Sequence, residues 1–231
     1  MHATIALMQP FRYAAALVPA LFAVLLAGCV SAPPAPTSSP ASMPALPAAP
    51  STLTGFRIDA SDSLIVVTVR RGGPFARRGH DHVVASHTVT GVVATDLSAA
   101  EFSFRLDQMT VDEAPLRAQA GLDTQPSADA IAGTRTNMLT RVLEADKFPL
   151  VQLRAVTGAL AGQVRLSITL HGVTRSIDTP VTLNRSDKAI TVSGNFTLLQ
   201  SDFGITPMSV MGGALVVLDP LALRFRIVAR R

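Results

Sequence analysis

Along the second half of this 231-residue chain, apolar and polar side chains alternate with a period of two, and that alternation restricts the fold more than any other feature. Val164, Leu166, Ile168 and Leu170 oppose Arg165, Ser167 and Thr169; Ile177, Thr179, Val181 and Leu183 oppose Asp178, Pro180 and Thr182. Ile190, Val192, Phe196 and Leu198 repeat the pattern, and Leu221, Leu223, Phe225 and Ile227 do so against Arg224 and Arg226. Upstream, Ser63 to Arg71 is rich in Ile, Val and Thr, and Phe102, Phe104 and Leu106 face away from Glu101, Ser103 and Arg105. A period of two puts one face of a strand in a core and the other in water, the signature of an antiparallel sheet. Short connections between such strands predict a meander, and closing it into a barrel removes the exposed sheet edges.

One segment breaks the period. Between Pro126 and Asp146, Ile131, Met138, Leu139, Val142 and Leu143 recur at helical spacing, with Ser127 placed to cap the start and Pro149 beyond the end. The fold class is therefore all-β: a lipocalin-like antiparallel β-barrel with one inserted helix that covers a barrel opening. Phe102, Phe104, Leu166, Ile168, Val181, Phe196 and Phe225 are expected to face the lumen. Periodicity does not distinguish a lumen filled by its own side chains from a hollow one.

The N-terminal part is of another kind. Arg12 precedes an apolar run from Tyr13 to Ala27 that stops at Cys29, the pattern of a secretory signal peptide over residues 1–28. Leu26-Ala27-Gly28-Cys29 resembles the lipobox of bacterial lipoproteins, which implies lipid attachment at Cys29 and a membrane held through it. Residues 29–53 then form a lipidated N-terminus and tether. From Val30 to Pro50 the chain is mostly Ala, Pro and Ser, too poor in apolar bulk to build a core. About 20 such residues at about 3 Å each give it a reach of roughly 60 Å. The barrel domain is expected over 54–231. The resemblance implies a periplasm-facing envelope protein, and Val30 in place of aspartate is the pattern associated with the outer membrane.

Cys29 is the only cysteine, so no disulfide within the chain and no cysteine-based metal cluster can form. The sequence pI is about 10.2, yet the net charge is only +4 and the arginines are dispersed along strands. They read as solvated strand faces, and nucleic acid is not an expected partner. The oligomeric state is not encoded in any pattern here.

From Gly55 onward several phrases carry a family likeness. These are Phe56-Arg57-Ile58-Asp59-Ala60 with Ser63, Leu143-Glu144-Ala145-Asp146-Lys147-Phe148-Pro149, Leu170-His171-Gly172-Val173-Thr174-Arg175, and Ser201-Asp202-Phe203-Gly204-Ile205. In this order they resemble the YceI-like family of lipid- and polyisoprenoid-binding proteins. The resemblance implies a lipocalin-like barrel, an isoprenoid, quinone-like or other amphiphilic lipid as the bound partner, and no catalysis. No other cofactor is expected. The chain departs from the family pattern at Gly79-His80-Asp81-His82.

His80 and His82 are two residues apart, so on extended backbone both rings project from one face. Three readings follow. With Arg77 and Arg78 they are candidates for a lipid head-group site at the barrel mouth; with His87 or His171 they are candidates for a metal site; or they hold a turn. A metal-binding envelope protein and a non-catalytic partner-binding barrel are accordingly the alternatives to lipid binding. No Gly-x-Ser-x-Gly elbow, His-Glu-x-x-His or phosphate-binding glycine loop is present to support an enzyme.

Overall fold

The computed structural model describes residues 53–122 and 124–231; the expected leader, Cys29 and the tether up to residue 52 lie outside the described residues. Strands β1 (Gly55–Ile58) and β2 (Leu64–Val69) are parted by one 3-10 turn, Ala60–Asp62, which Asp59 caps by accepting the Ser61 N–H at 3.1 Å. The short β3 (Arg71–Gly72) precedes β4 (His82–Ser86), β5 (Thr90–Ala94), β6 (Ala99–Arg105) and β7 (Thr110–Val111). Helices α1 (Ala114–Gln119) and α2 (Ala128–Asn137) come next. The long strands β8 (Leu150–Thr157), β9 (Gln163–Leu170), β10 (Val173–Arg185) and β11 (Ala189–Leu199) then run in succession. After β12 (Ser209–Val210) and β13 (Leu215–Val217), β14 (Pro220–Arg230) completes the sheet.

Pairing shows that β1 and β2 are two halves of one bent strand. Both lie along β14, β2 against Ala222–Arg226 and β1 against Ala229 and Arg230. The bend is copied in the next two strands, because β5 pairs with β1 while β4 pairs with β2, and β6 pairs with β5 while β7 pairs with β4. Three bent strands and the five formed by β8, β9, β10, β11 and β14 make an eight-stranded antiparallel meander, closed where β14 returns to β1. This is the expected fold, a sheet closed on itself.

The strand phase agrees with the sequence pattern. Leu166, Ile168, Leu170, Leu198 and Ile227 are buried in one inner core that also holds Phe104, Leu106, Val151 and Leu153. Two strands depart from simple alternation. Val66, Val83 and Ala85 on β2 and β4 point outward yet are buried, because Leu116 of α1 lies over them. This is why Ser63 to Arg71 reads as an almost unbroken apolar run: both its faces are covered.

The expected helix is α2. Ser127 caps it by accepting the Ala130 N–H at 3.2 Å, and after Asn137 it widens into one π turn, Met138–Val142. Ile131, Met138, Leu139, Val142 and Leu143 all pack on the inner core. The six-residue α1, opened by Glu113 and Pro115, is a second helix the periodicity does not reveal. At one tight hairpin, β9 to β10, His171 and Gly172 both adopt positive φ (52° and 75°), as a type I′ turn demands. A Cβ on Gly172 would also meet the Phe148 ring at 2.9 Å.

Candidate functional site

The barrel is hollow. A cavity of about 350 Å³ runs along its axis, within the range of small-molecule sites. All the residues expected to face the lumen line it: Phe102, Phe104, Leu166, Ile168, Val181, Phe196 and Phe225. Phe196 and Phe225 meet as a tilted aromatic pair with centroids 6.2 Å apart. Gly194 makes room for them, since a Cβ there would stand 2.8 Å from the Phe225 ring and from the Pro180 carbonyl.

Among the described residues no Asp, Glu, Lys or Arg lines this wall, and its polar residues are His82, Thr134, Asn137, Thr157 and Gln200. Thr134 and Asn137 belong to α2, which with His82 and Gln200 closes the end of the barrel where β4 begins. Beside that end lies a smaller annex of about 190 Å³, lined by Arg71, Gly79, His80 and the flap strands β12 and β13. The two spaces share His82, Thr134, Met208 and Val217. The flap is the three-stranded sheet β12-β13-β3, so the Gly-rich segment after Arg71 is held against the mouth by backbone pairing.

The histidines separate into distinct environments. His80 and His82 are neighbours, with ring centroids 6.3 Å apart and edges toward faces, and both line the annex. His87 Nε2 is bonded to Glu113 Oε1 at 2.8 Å, and His171 Nε2 to Glu144 Oε2 at 3.1 Å. The His171 ring also packs at a tilt against Phe148, with centroids 4.5 Å apart, so the phrases Leu143–Pro149 and Leu170–Arg175 meet in one packed turn. Among the described residues no group of three or more His, Cys, Asp or Glu is arranged to hold a metal ion. The structure does not bring His87 or His171 to His80 and His82.

Arg77 and Arg78 are also placed elsewhere than expected. Both are exposed on the 3-10 turn Ala76–Arg78 and neither lines the cavity or the annex; the Arg78 guanidinium lies over the Phe75 ring at 5.6 Å. Their place beside the opening is taken by Arg71, which is already engaged by the Gly79 carbonyl and lies 3.8 Å from Asp81. Asp81 takes a hydrogen bond from Arg70 at 2.8 Å and from the Arg71 N–H at 2.9 Å. Partial burial pushes its carboxyl up, but these donors outweigh it and hold the pKa below the ordinary carboxylate value.

Sequence reasoning missed the group that anchors His82. Its Nδ1 lies 2.6 Å from Oδ2 of Asp112, a buried residue in the left-handed region (φ 57°). Asp112 Oδ1 accepts from the Val83 N–H at 3.0 Å and from Arg117 Nη1 at 2.6 Å. Arg117 is 2 % exposed and also donates to the carbonyls of Asp81 (2.7 Å) and Thr124. Burial pushes the Asp112 carboxyl up; the hydrogen bonds from His82, Val83 and Arg117 more than offset that and keep it below its usual value. A short acid directly after a two-residue strand and an arginine five further on carry no periodic signal, so nothing in the sequence pattern marks them.

A closed antiparallel meander around a long apolar cavity, covered at one end by a helix, defines a lipocalin-like barrel. The YceI-like domain model matches residues 56–229, most of the chain. The chain belongs to the YceI-like family. Its fold is similar to that of a polyisoprenoid-binding domain from Saccharophagus degradans implicated in plant cell wall breakdown, at a TM-score of 0.55 and 14% identity over 76% of this chain and 98% of that one. It is also similar to BcnA of Burkholderia cenocepacia, at a TM-score of 0.54 and 15% identity over 74% of this chain and 99% of that one. No curated protein matches the chain.

Proposed function

We propose that this protein is an exported, envelope-anchored lipoprotein that holds an isoprenoid, quinone-like or other amphiphilic lipid inside its barrel and performs no catalysis. The observation that carries this is the cavity, about 350 Å³ and walled almost wholly by apolar side chains. Such a wall favours a ligand whose own surface is apolar, since each 100 Å² removed from water is worth about 2.5 kcal/mol. The likeness to a polyisoprenoid-binding domain supports the same ligand class. The anchoring rests on Leu26-Ala27-Gly28-Cys29 and on the Pro/Ala-rich segment behind it, and Val30 favours the outer membrane, with the barrel facing the periplasm.

Native mass spectrometry of the purified protein, before and after organic extraction and before and after chelator, tests the binding. A non-covalent lipid released by solvent, with no mass change on chelation, is the expected result. A barrel that arrives empty and takes up no added isoprenoid would sink the proposal and favour a partner-binding module. Anchoring is tested separately: Cys29→Ser moves the protein out of the membrane fraction, and a native N-terminal peptide without acyl chains overturns that part.

A further inference from the structure

Among the described residues His82 is the one ionisable side chain that lines the cavity, and its ring is not free to choose its tautomer. Nδ1 faces the Asp112 carboxylate at 2.6 Å, while Arg117 and the Val83 N–H occupy the other carboxylate oxygen. An ionised carboxylate only accepts, so Nδ1 carries the proton. In the tautomer that donates its Nδ1–H to Asp112, Nε2 is the acceptor. Nε2 has no hydrogen-bond partner among the described residues, and His82, 17% exposed in its side chain, lines both the cavity and the annex.

A buried Asp–Arg pair is commonly no more stabilising than apolar residues of the same shape. Holding one imidazole in one tautomer beside a ligand cavity gives this pair a purpose, as carboxylates hydrogen-bonded to the far nitrogen do for metal-bound histidines. We propose that Asp112 and Arg117 fix His82 as a hydrogen-bond acceptor at the helix-covered end of the cavity, so that the barrel selects lipids ending in a hydroxyl over the same lipids ending in an ether or a carbonyl. This rests on the lipid-binding proposal and names the head-group class it leaves open. An alcohol or phenol donates to Nε2 and can accept in turn from Thr134 or Asn137, which line the same end. A carbonyl or ether oxygen can only accept and meets a lone pair. A phosphate is disfavoured for the same reason, and because Arg71, the cation at the annex, is already bound to Gly79 and near Asp81.

The test uses the full chain carrying Cys29→Ser, which avoids detergent, after its endogenous lipid has been extracted. Geranylgeraniol, its methyl ether and its aldehyde compete against a fluorescent fatty probe. The alcohol binds about fivefold tighter than the ether, the size of one neutral hydrogen bond. His82→Leu binds all three and loses the preference. Asp112→Asn lets an amide N–H donate to Nδ1, which moves the ring proton to Nε2 and turns the preference toward the aldehyde. Because Asp112→Asn leaves Arg117 buried without its counter-charge, the Asp112→Asn, Arg117→Met double variant is measured beside it. Equal binding of alcohol and ether by otherwise native protein overturns the head-group assignment and leaves lipid binding standing. Failure to bind any of the three overturns both proposals. Preference for the aldehyde in that protein, or retention of the alcohol preference by His82→Leu, overturns the role given to His82.

Discussion

Replacing Arg117 by methionine tests whether the Asp112 network carries stability as well as orientation. The substitution keeps the length of the aliphatic stem but removes the donors to Asp112, Asp81 and Thr124, leaving a fully buried carboxylate with only His82 and the Val83 N–H. Breaking one side of a buried ion pair costs about 3–5 kcal/mol, a large part of the roughly 5–15 kcal/mol that holds a typical domain together. For a barrel of this size that is a fall in Tm of roughly 10 °C. Urea titration gives the free energy, and a double-mutant cycle with Asp112→Asn isolates the pair: the double variant is expected to be less damaged than the sum of the singles, because it buries no unpaired charge. Two losses that simply add would refute the coupling and leave Arg117 as packing alone.

The remaining predictions concern the lumen and acid stability. Phe196→Asp places a carboxylate on the apolar wall and breaks the contact with Phe225, so it is expected to abolish lipid retention or unfold the barrel; a stable variant with unchanged lipid content in native mass spectra would show the strand phase to be wrong. Gly194→Val drives a side chain into the Phe225 ring and the Pro180 carbonyl and is expected to cost at least about 1–3 kcal/mol in a urea titration, with an unchanged midpoint refuting that packing. Asp112, Asp81 and Glu113 all have carboxyls held below their usual values, so the folded state binds fewer protons than the unfolded one near their unfolded pKa values. Their stabilisation is full above those values, roughly pH 4–4.5. It is lost as the pH falls through the lower folded values, and a Tm that stays level from pH 5 to pH 2.5 would contradict it.

The alternation of Val164 to Leu170 or Leu221 to Ile227 could be read directly because each long strand has one face in the lumen and one in water. The same rule fails for β2 and β4, where α1 covers the outer face and turns Val66, Val83 and Ala85 into core residues. Ser127 announced the start of α2 through cap chemistry, whereas α1 is too short for any period to emerge. The seven lumen residues followed from strand phase alone, but the hollowness of the barrel depends on how far side chains reach across it, which no one-dimensional pattern contains. Arg77 and Arg78 were misplaced because they lie in a turn, where side-chain direction is set by local φ/ψ and not by sheet periodicity. Asp112 and Arg117 escaped notice because their significance lies in a partner 30 residues away, His82.

The junction of β14 with β1 has a kinetic meaning. β14 is hydrogen-bonded to β11, β2 and β1, so the strand latest in chain order joins both ends of the meander. Arg230 fastens the joint, donating to Asp59 and Asp62 across some 170 positions of sequence (171 and 168). No earlier portion of the chain can close the ring, and loop-closure entropy over that separation makes closure a slow step. A chain threaded across a membrane from its N-terminus would therefore emerge with its ring still open and would close only after β14 had followed, so that a lipid could be enclosed as the barrel forms instead of entering it afterwards.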